Sequence, residues 1–231
     1  MFEWFSNVSS GAAGLDRMRN DFCQMLDAGR RVFDMATDSM LGLADPEAIR
    51  EDLFKTEKRI NKSVRALRRE IVVHSTVHGS NSFPACLVLM SVVKDAERIG
   101  DYGKNLFDLA TTAPMAQANE WKTDITQLKE RISRLLSDCR DTFATSDRDK
   151  ALALISRAEK IEDHCDEQVR RILIEEPPKS AVYALAYRFL KRVASHVFNV
   201  LTSVVQPVDR IDFAKKLPIA RDDDAGDQPA K

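Results

Sequence analysis

Residues 92–110 read VVKDAERIGDYGKNLFDLA. Within them Val92, Ala96, Ile99, Gly103, Leu106 and Ala110 recur at spacings of three and four. That is the period at which side chains stack on one face of an α-helix. A second window carries the same seam on Ala186, Leu190, Val193, Val197, Val200 and Val204. The rest of the chain agrees with a helical reading. Only 8 Gly and 8 Pro occur in 231 residues, too few for the frequent turns of a sandwich or barrel, and the 44% hydrophobic content is enough to bury a core. The fold class is all-α.

Breaks in the periodicity divide the chain into six helices. The first runs from about Leu15 to Leu43 and stops before Ala44-Asp45-Pro46, where Asp45 can cap and Pro46 can open the next helix. The second reaches about His78, and the turn Gly79-Ser80-Asn81-Ser82 leads into a third that starts at Phe83-Pro84 and ends near Thr112. Pro114 to Asn119 is the longest interior break. The remaining helices span about Glu120 to Ala144, Asp147 to Glu175, and from after Pro177-Pro178 to near Gln206-Pro207. Residues 207–231 are polar and aperiodic, which predicts a disordered tail, and residues 1–14 form a separate N-terminal segment.

An internal repeat organises these helices. Glu57, Asn61, Val64 and Arg65 match Glu162, Asp166, Val169 and Arg170 at a shift of 105. Arg98, Ile99, Asn105 and Leu106 match Arg192, Val193, Asn199 and Val200 at a shift of 94. A duplicated three-helix unit explains both. The expected architecture is two tandem antiparallel three-helix bundles, over residues 15–113 and 119–206.

Several function classes drop out. Thirty-five Lys plus Arg against 36 Asp plus Glu leave no basic excess of the kind a general nucleic-acid binder shows. The longest apolar run, Pro84 to Val93, is half of the roughly 20 residues a membrane helix needs. The N-terminus lacks the basic and apolar regions of a secretory signal, so a cytoplasmic protein is expected. Cys23, Cys86, Cys139 and Cys165 show no CxxC spacing and read as reduced core thiols. No GxSxG, Walker loop or ExxH di-iron motif occurs, so the chain is not read as an enzyme. His164 and Cys165 are adjacent and so point to different faces, which rules them out as a nucleophile–base pair. His74 and His78, four apart, are taken as a frayed helix end, and His196 as a packed shoulder residue. The cluster Phe2, Trp4 and Phe5 could dock a partner or the chain's own bundle.

The residues that carry chemistry flank the apolar seam. Glu97, Asp101 and Asn105 are spaced four apart along one shoulder of the third helix, and Glu57 and Asn61 hold the matching shoulder of the second. If those helices are antiparallel neighbours, Glu57, Asn61, Glu97 and Asp101 converge. Such an oxygen-only set suits a hard metal ion, with iron, manganese, zinc or magnesium as candidates. Gly100, mid-helix beside Asp101, suggests a close approach, since Gly there costs about 1 kcal/mol relative to Ala.

At Asp95 to Leu106 the sequence resembles the signature helix of the PhoU family of phosphate-uptake regulators, whose pattern reads roughly Leu-Glu-Arg-Ile-Gly-Asp-His/Tyr-x-x-Asn-Ile. The tandem layout over about Leu15 to Gln206 is also that family's. The resemblance implies metal-binding acidic motifs in both halves and no organic cofactor. It implies a phosphate transporter subunit or a phosphate sensor kinase as partner, a homodimer, and a place at the inner membrane reached through a transporter rather than by insertion. On this chain Glu97 and Asp101 match the first-half motif, Glu57 matches the facing helix, and Asn61 replaces the usual Asp. The second half departs from the pattern. Lys191-Arg192-Val193-Ala194-Ser195-His196 stands where the family has Glu-Arg-Ile-Gly-Asp-His, while Glu162 and Asp166 remain opposite as a remnant. A Lys191 ammonium paired with those carboxylates is the expected replacement for a metal charge. The alternative reading is a metal-independent accessory subunit of another anion or phosphate permease.

Overall fold

In the computed structural model, which describes residues 12–113, 115 and 118–213, every long element is an α-helix. They are α1 (Ala12–Met40), α2 (Pro46–His78), α3 (Phe83–Thr112), α4 (Glu120–Thr145), α5 (Arg148–Glu175) and α6 (Ser180–Val205). Short 3₁₀ turns follow α2 at Gly79–Asn81 and α6 at Val208–Arg210. Local chemistry sets the ends. The Asp45, Asn119 and Asp147 side chains accept the backbone N–H groups of Glu47, Lys122 and Lys150, and so cap α2, α4 and α5. The first helix ends at Met40 rather than near Leu43, because the chain turns out at Gly42 with a φ of +76° that favours glycine.

Helices α1–α3 form one antiparallel bundle and α4–α6 the other, and the two lie side by side. Contacts of α1 with α4 and of α3 with α6 join them, leaving α2 and α5 on the outside. The join is antiparallel. The Tyr102 ring stacks on His196 at 5.6 Å, Tyr102 also meets Phe189, and Asp95 meets His196. The repeat shift of 94 makes Tyr102 and His196 equivalent positions, so their contact pairs a position with its own copy and marks a pseudo-two-fold axis. The same shift exchanges Asp95–His196 with Phe189–Tyr102. One continuous buried apolar cluster runs from Leu15 to Ile211 through both bundles. The four cysteines are free and buried in it.

The chain after α6 differs from the expected tail. Residues 207–213 return to the bundle: Ile211 is buried, the Asp212 N–H donates to Thr202 Oγ1, and Lys94 pairs with the Asp212 carboxylate at 3.6 Å. A buried isoleucine and a paired carboxylate hold this segment, where polarity alone predicted disorder. Residues 214–231 and the cluster Phe2, Trp4 and Phe5 lie outside the described residues. No described helix is long and apolar enough to cross a membrane.

Two glycines of α3 have different surroundings. A Cβ on Gly103 would stand 2.8 Å from Val32 Cγ1 and 3.2 Å from the Phe33 backbone nitrogen, so α1 and α3 touch there through backbone. A Cβ on Gly100 would meet only Ile60 Cδ1, at 3.0 Å, the movable end of a side chain of α2. The close approach expected at Gly100 is therefore helix packing. Gly103→Ala is expected to lower the unfolding free energy by about 1–3 kcal/mol through overpacking. Gly100→Ala should stay within about 1 kcal/mol of the parent, because its gain in helix propensity offsets the displaced methyl. Urea unfolding of the two variants checks this.

Candidate functional site

Ile60 beside Gly100 sets the register of α2 against α3. This puts Glu57 and Asn61 on the α2 side of a shared edge and Glu97 and Asp101 on the α3 side. All four side chains are half-buried. Two of the three carboxylates are bonded locally: Asn61 Nδ2 donates to Glu57 Oε1 at 2.6 Å, and the Arg98 guanidinium donates to Asp101 Oδ2 at 3.1 Å. Among the described residues no three His, Cys, Asp or Glu side chains stand together so as to hold a metal ion. Glu57, Glu97 and Asp101 thus share an edge without gathering around one point, which corrects the expected convergence. Two of the three close a bond within their own helix, Glu57 with Asn61 four residues on and Asp101 with Arg98 three residues back. As placed, these residues do not fit a shared ion.

The second half fills the equivalent edge differently. Lys191 occupies the place of Glu97, and its ammonium donates to Asp166, which Arg188 also approaches at 3.4 Å. Ser195 occupies the place of Asp101. Burial pushes the Glu162 carboxyl above its ordinary value, while Ser195 and the Lys191 charge draw it back down. The expected lysine–carboxylate pairing is present, with Asp166 as the direct partner. Beside it an open cleft of about 1050 Å³ lies between α5, α6 and the returning chain, lined by Glu159, Glu162, Asp166, Lys191, Ser195 and Arg210 among others.

Two polar clusters were not foreseen. Asp95 is wholly buried between the halves, where it accepts from His196 Nδ1 at 2.8 Å, Asn199 Nδ2 at 2.9 Å and Lys94 Nζ at 3.0 Å. His196 is thus an interface residue rather than a bundle-shoulder one. A signal existed: Asp95 lies three residues after Val92 and four before Ile99, on the buried ridge of α3. The second cluster joins α4, α5 and α6. The buried Tyr187 hydroxyl donates to Asp124 Oδ2 at 2.6 Å and His164 Nε2 lies 2.8 Å from the same oxygen. Burial, then the hydrogen bond to Asp124 and its charge, raises the Tyr187 hydroxyl far above the usual range. Its members are 40 and 63 residues from Asp124, so no local pattern announced them.

The histidine pair also reads differently in three dimensions. His74 is buried, its ring lies 4.3 Å from that of His78, and α2 continues through both to Gly79. It packs under Gly14, where a Cβ would come within 2.7 Å of the ring. Burial lowers its basicity, as expected of a packed ring in place of a frayed end. His164 and Cys165 do face apart, His164 toward Asp124 and Cys165 into the core.

The family model described as the PhoU domain matches residues 22–110 of this chain, from α1 to the end of α3. The whole fold is that of solved PhoU proteins. It superimposes on the crystal structure of PhoU from Pseudomonas aeruginosa with a TM-score of 0.76 and 18% identity, covering 85% of this chain and 97% of that one. The phosphate transport system regulatory protein PhoU from Streptococcus pneumoniae gives a TM-score of 0.71 and 19% identity, covering 85% and 95%. Among curated proteins no relative matches.

The state of Glu162 generates a test. Because its folded value lies above the ordinary 4.5, its charged form disfavours the folded state once the pH exceeds that raised value. Glu162→Gln is therefore expected to raise Tm at neutral pH. The gain should shrink as the pH falls through the raised value and vanish below 4.5, where both states are protonated. Thermal unfolding across that range, monitored by circular dichroism, measures it.

Proposed function

We propose that this protein regulates a phosphate transport system by protein contact, with a transporter subunit or a phosphate sensor kinase as its partner. The observation that carries the reading is the PhoU match over residues 22–110, within which Glu97, Asp101 and Asn105 stand on the accessible shoulder of α3. The similarity to solved PhoU proteins supports it at the level of the fold. The site presents charges and amides on a helical edge, suited to docking.

Catalysis is not part of this reading. Burial pushes the Cys23 thiol up to about 11 and the Cys165 thiol to about 12, so neither supplies a thiolate at neutral pH. The reading places the protein in the cytoplasm, as a homodimer, reaching the membrane through its transporter. No bound metal enters it, since the first-half carboxylates do not gather.

The halves contribute unequally. The first keeps both signature carboxylates, whereas the second has turned the same edge into an internal ion pair. Deleting the gene and measuring labelled phosphate uptake in phosphate-replete cells tests the proposal. Uptake is expected to rise several-fold and to return to normal with the parent gene or Lys191→Met. A Glu97→Gln/Asp101→Asn gene should fail to restore control while yielding folded protein. Unchanged phosphate uptake would overturn the reading. A change confined to another anion would favour an accessory role at a different permease.

A further inference from the structure

Helix α2 packs chiefly against α1 and α3, so among the described residues no helix covers its far side. On that side Lys55, Lys58, Lys62, Arg65 and Arg69 follow one another at spacings of three and four, and all five are exposed. At 1.5 Å per residue the row is about 21 Å long. Arg59 and Arg68 flank it. From Leu53 to Arg69 the helix carries one carboxylate, Glu57, which is turned to the α3 side and bonded by Asn61. On the neighbouring surface Arg17 is paired with Glu70 and Arg31 with Asp52, while Lys104 of α3 lies over the Phe54 ring. None of the five makes an ion pair with a described residue. A chain of net charge −1 thus concentrates unpaired positive charge on one helix face.

The same face changes character toward its C-terminal end. Val72, Val73 and Val77 are 56%, 62% and 70% exposed, and Phe83 and Leu87 at the start of α3 extend the apolar surface. Basic residues leading into exposed aliphatic ones are the composition of a surface that lies on an anionic bilayer, with cations at the headgroups and apolar side chains at the acyl boundary. Duplication supplies an internal comparison. At the matching positions α5 carries Lys160, Asp163, Glu167, Arg170 and Ile174, a mixed face with no row. The basic face is therefore a property of this helix, not a requirement of the bundle.

We propose that the outer face of α2 docks on an anionic lipid bilayer. The row of five cations lies along the headgroup plane, and the valine-rich end enters the interface. A nucleic-acid backbone would match the charges but not the valines. An acidic protein segment is the competing occupant. The surface is independent of the Glu97 and Asp101 edge, so it holds whichever transport protein is regulated.

The full chain should cosediment with vesicles of phosphatidylcholine mixed with phosphatidylglycerol, stay free of pure phosphatidylcholine vesicles, and release as salt is raised. Neutralising three of the row, Lys58→Gln, Lys62→Gln and Arg69→Gln, should weaken partitioning on the order of a hundredfold, at about fivefold per cation near an anionic surface. Lys160→Gln with Arg170→Gln should leave it unchanged. Val72→Ser with Val73→Ser should weaken it several-fold while keeping its salt dependence. Circular dichroism of each variant confirms that the fold is retained. Full binding by the triple variant, equal binding to neutral vesicles, or capture of poly-glutamate with no vesicle binding would each overturn the proposal.

Discussion

A carboxylate with no solvent exposure, Asp95, holds the two halves of this protein together. Taking such a group out of water is costly unless its oxygens find donors. Here the donors come from both halves: Lys94 from its own helix, His196 and Asn199 from α6. The cost of burial can be met only when α3 and α6 lie antiparallel in one register. Tyr102 stacked on His196 beside it fixes the same register by shape. Apolar packing would favour many side-by-side arrangements of two bundles, and the buried polar group selects among them.

That arrangement makes the protein one core built from a duplicated unit, and the duplication has been used asymmetrically. In the first half the edge of α2 and α3 keeps Glu57, Glu97 and Asp101 at the surface. In the second half Lys191 and Ser195 turn the equivalent edge inward upon Asp166 and Glu162. The outer helices diverge as well, α2 with an unpaired basic row and α5 with mixed charge. Unpaired surface charge is thereby concentrated on the first half, while the second lends α6 to the joint interface and closes its own charges.

Features governed by neighbours in the chain could be read from the sequence. The cap at Asp45 acts over two residues, and the start it sets for α2 at Pro46 is the one observed. The pairing of Lys191 with Asp166 was accessible through the repeat, because comparing one half with the other shows a carboxylate replaced by an ammonium. Contacts set by packing at long range were not readable. Asp95 meets His196 across 101 residues of chain, and the Tyr187–Asp124 bond spans 63. Glu57 and Asp101 misled for a different reason: spacing placed them on one edge, but it does not say which of several local partners their oxygens bond. The near-zero net charge concealed the α2 row, since an average says nothing of distribution.

The claim that a buried polar contact makes the two bundles one unit is open to a direct test. Native-state hydrogen exchange reports the opening free energy of each helix separately. In Asp95→Ala, which leaves His196 and Asn199 without their acceptor, the slowest amides of α1 and α3 and those of α5 and α6 should lose protection together, by about 3 kcal/mol. If α4–α6 kept the parent's protection while only α1–α3 weakened, the bundles would be independent and the account of a shared core would be contradicted.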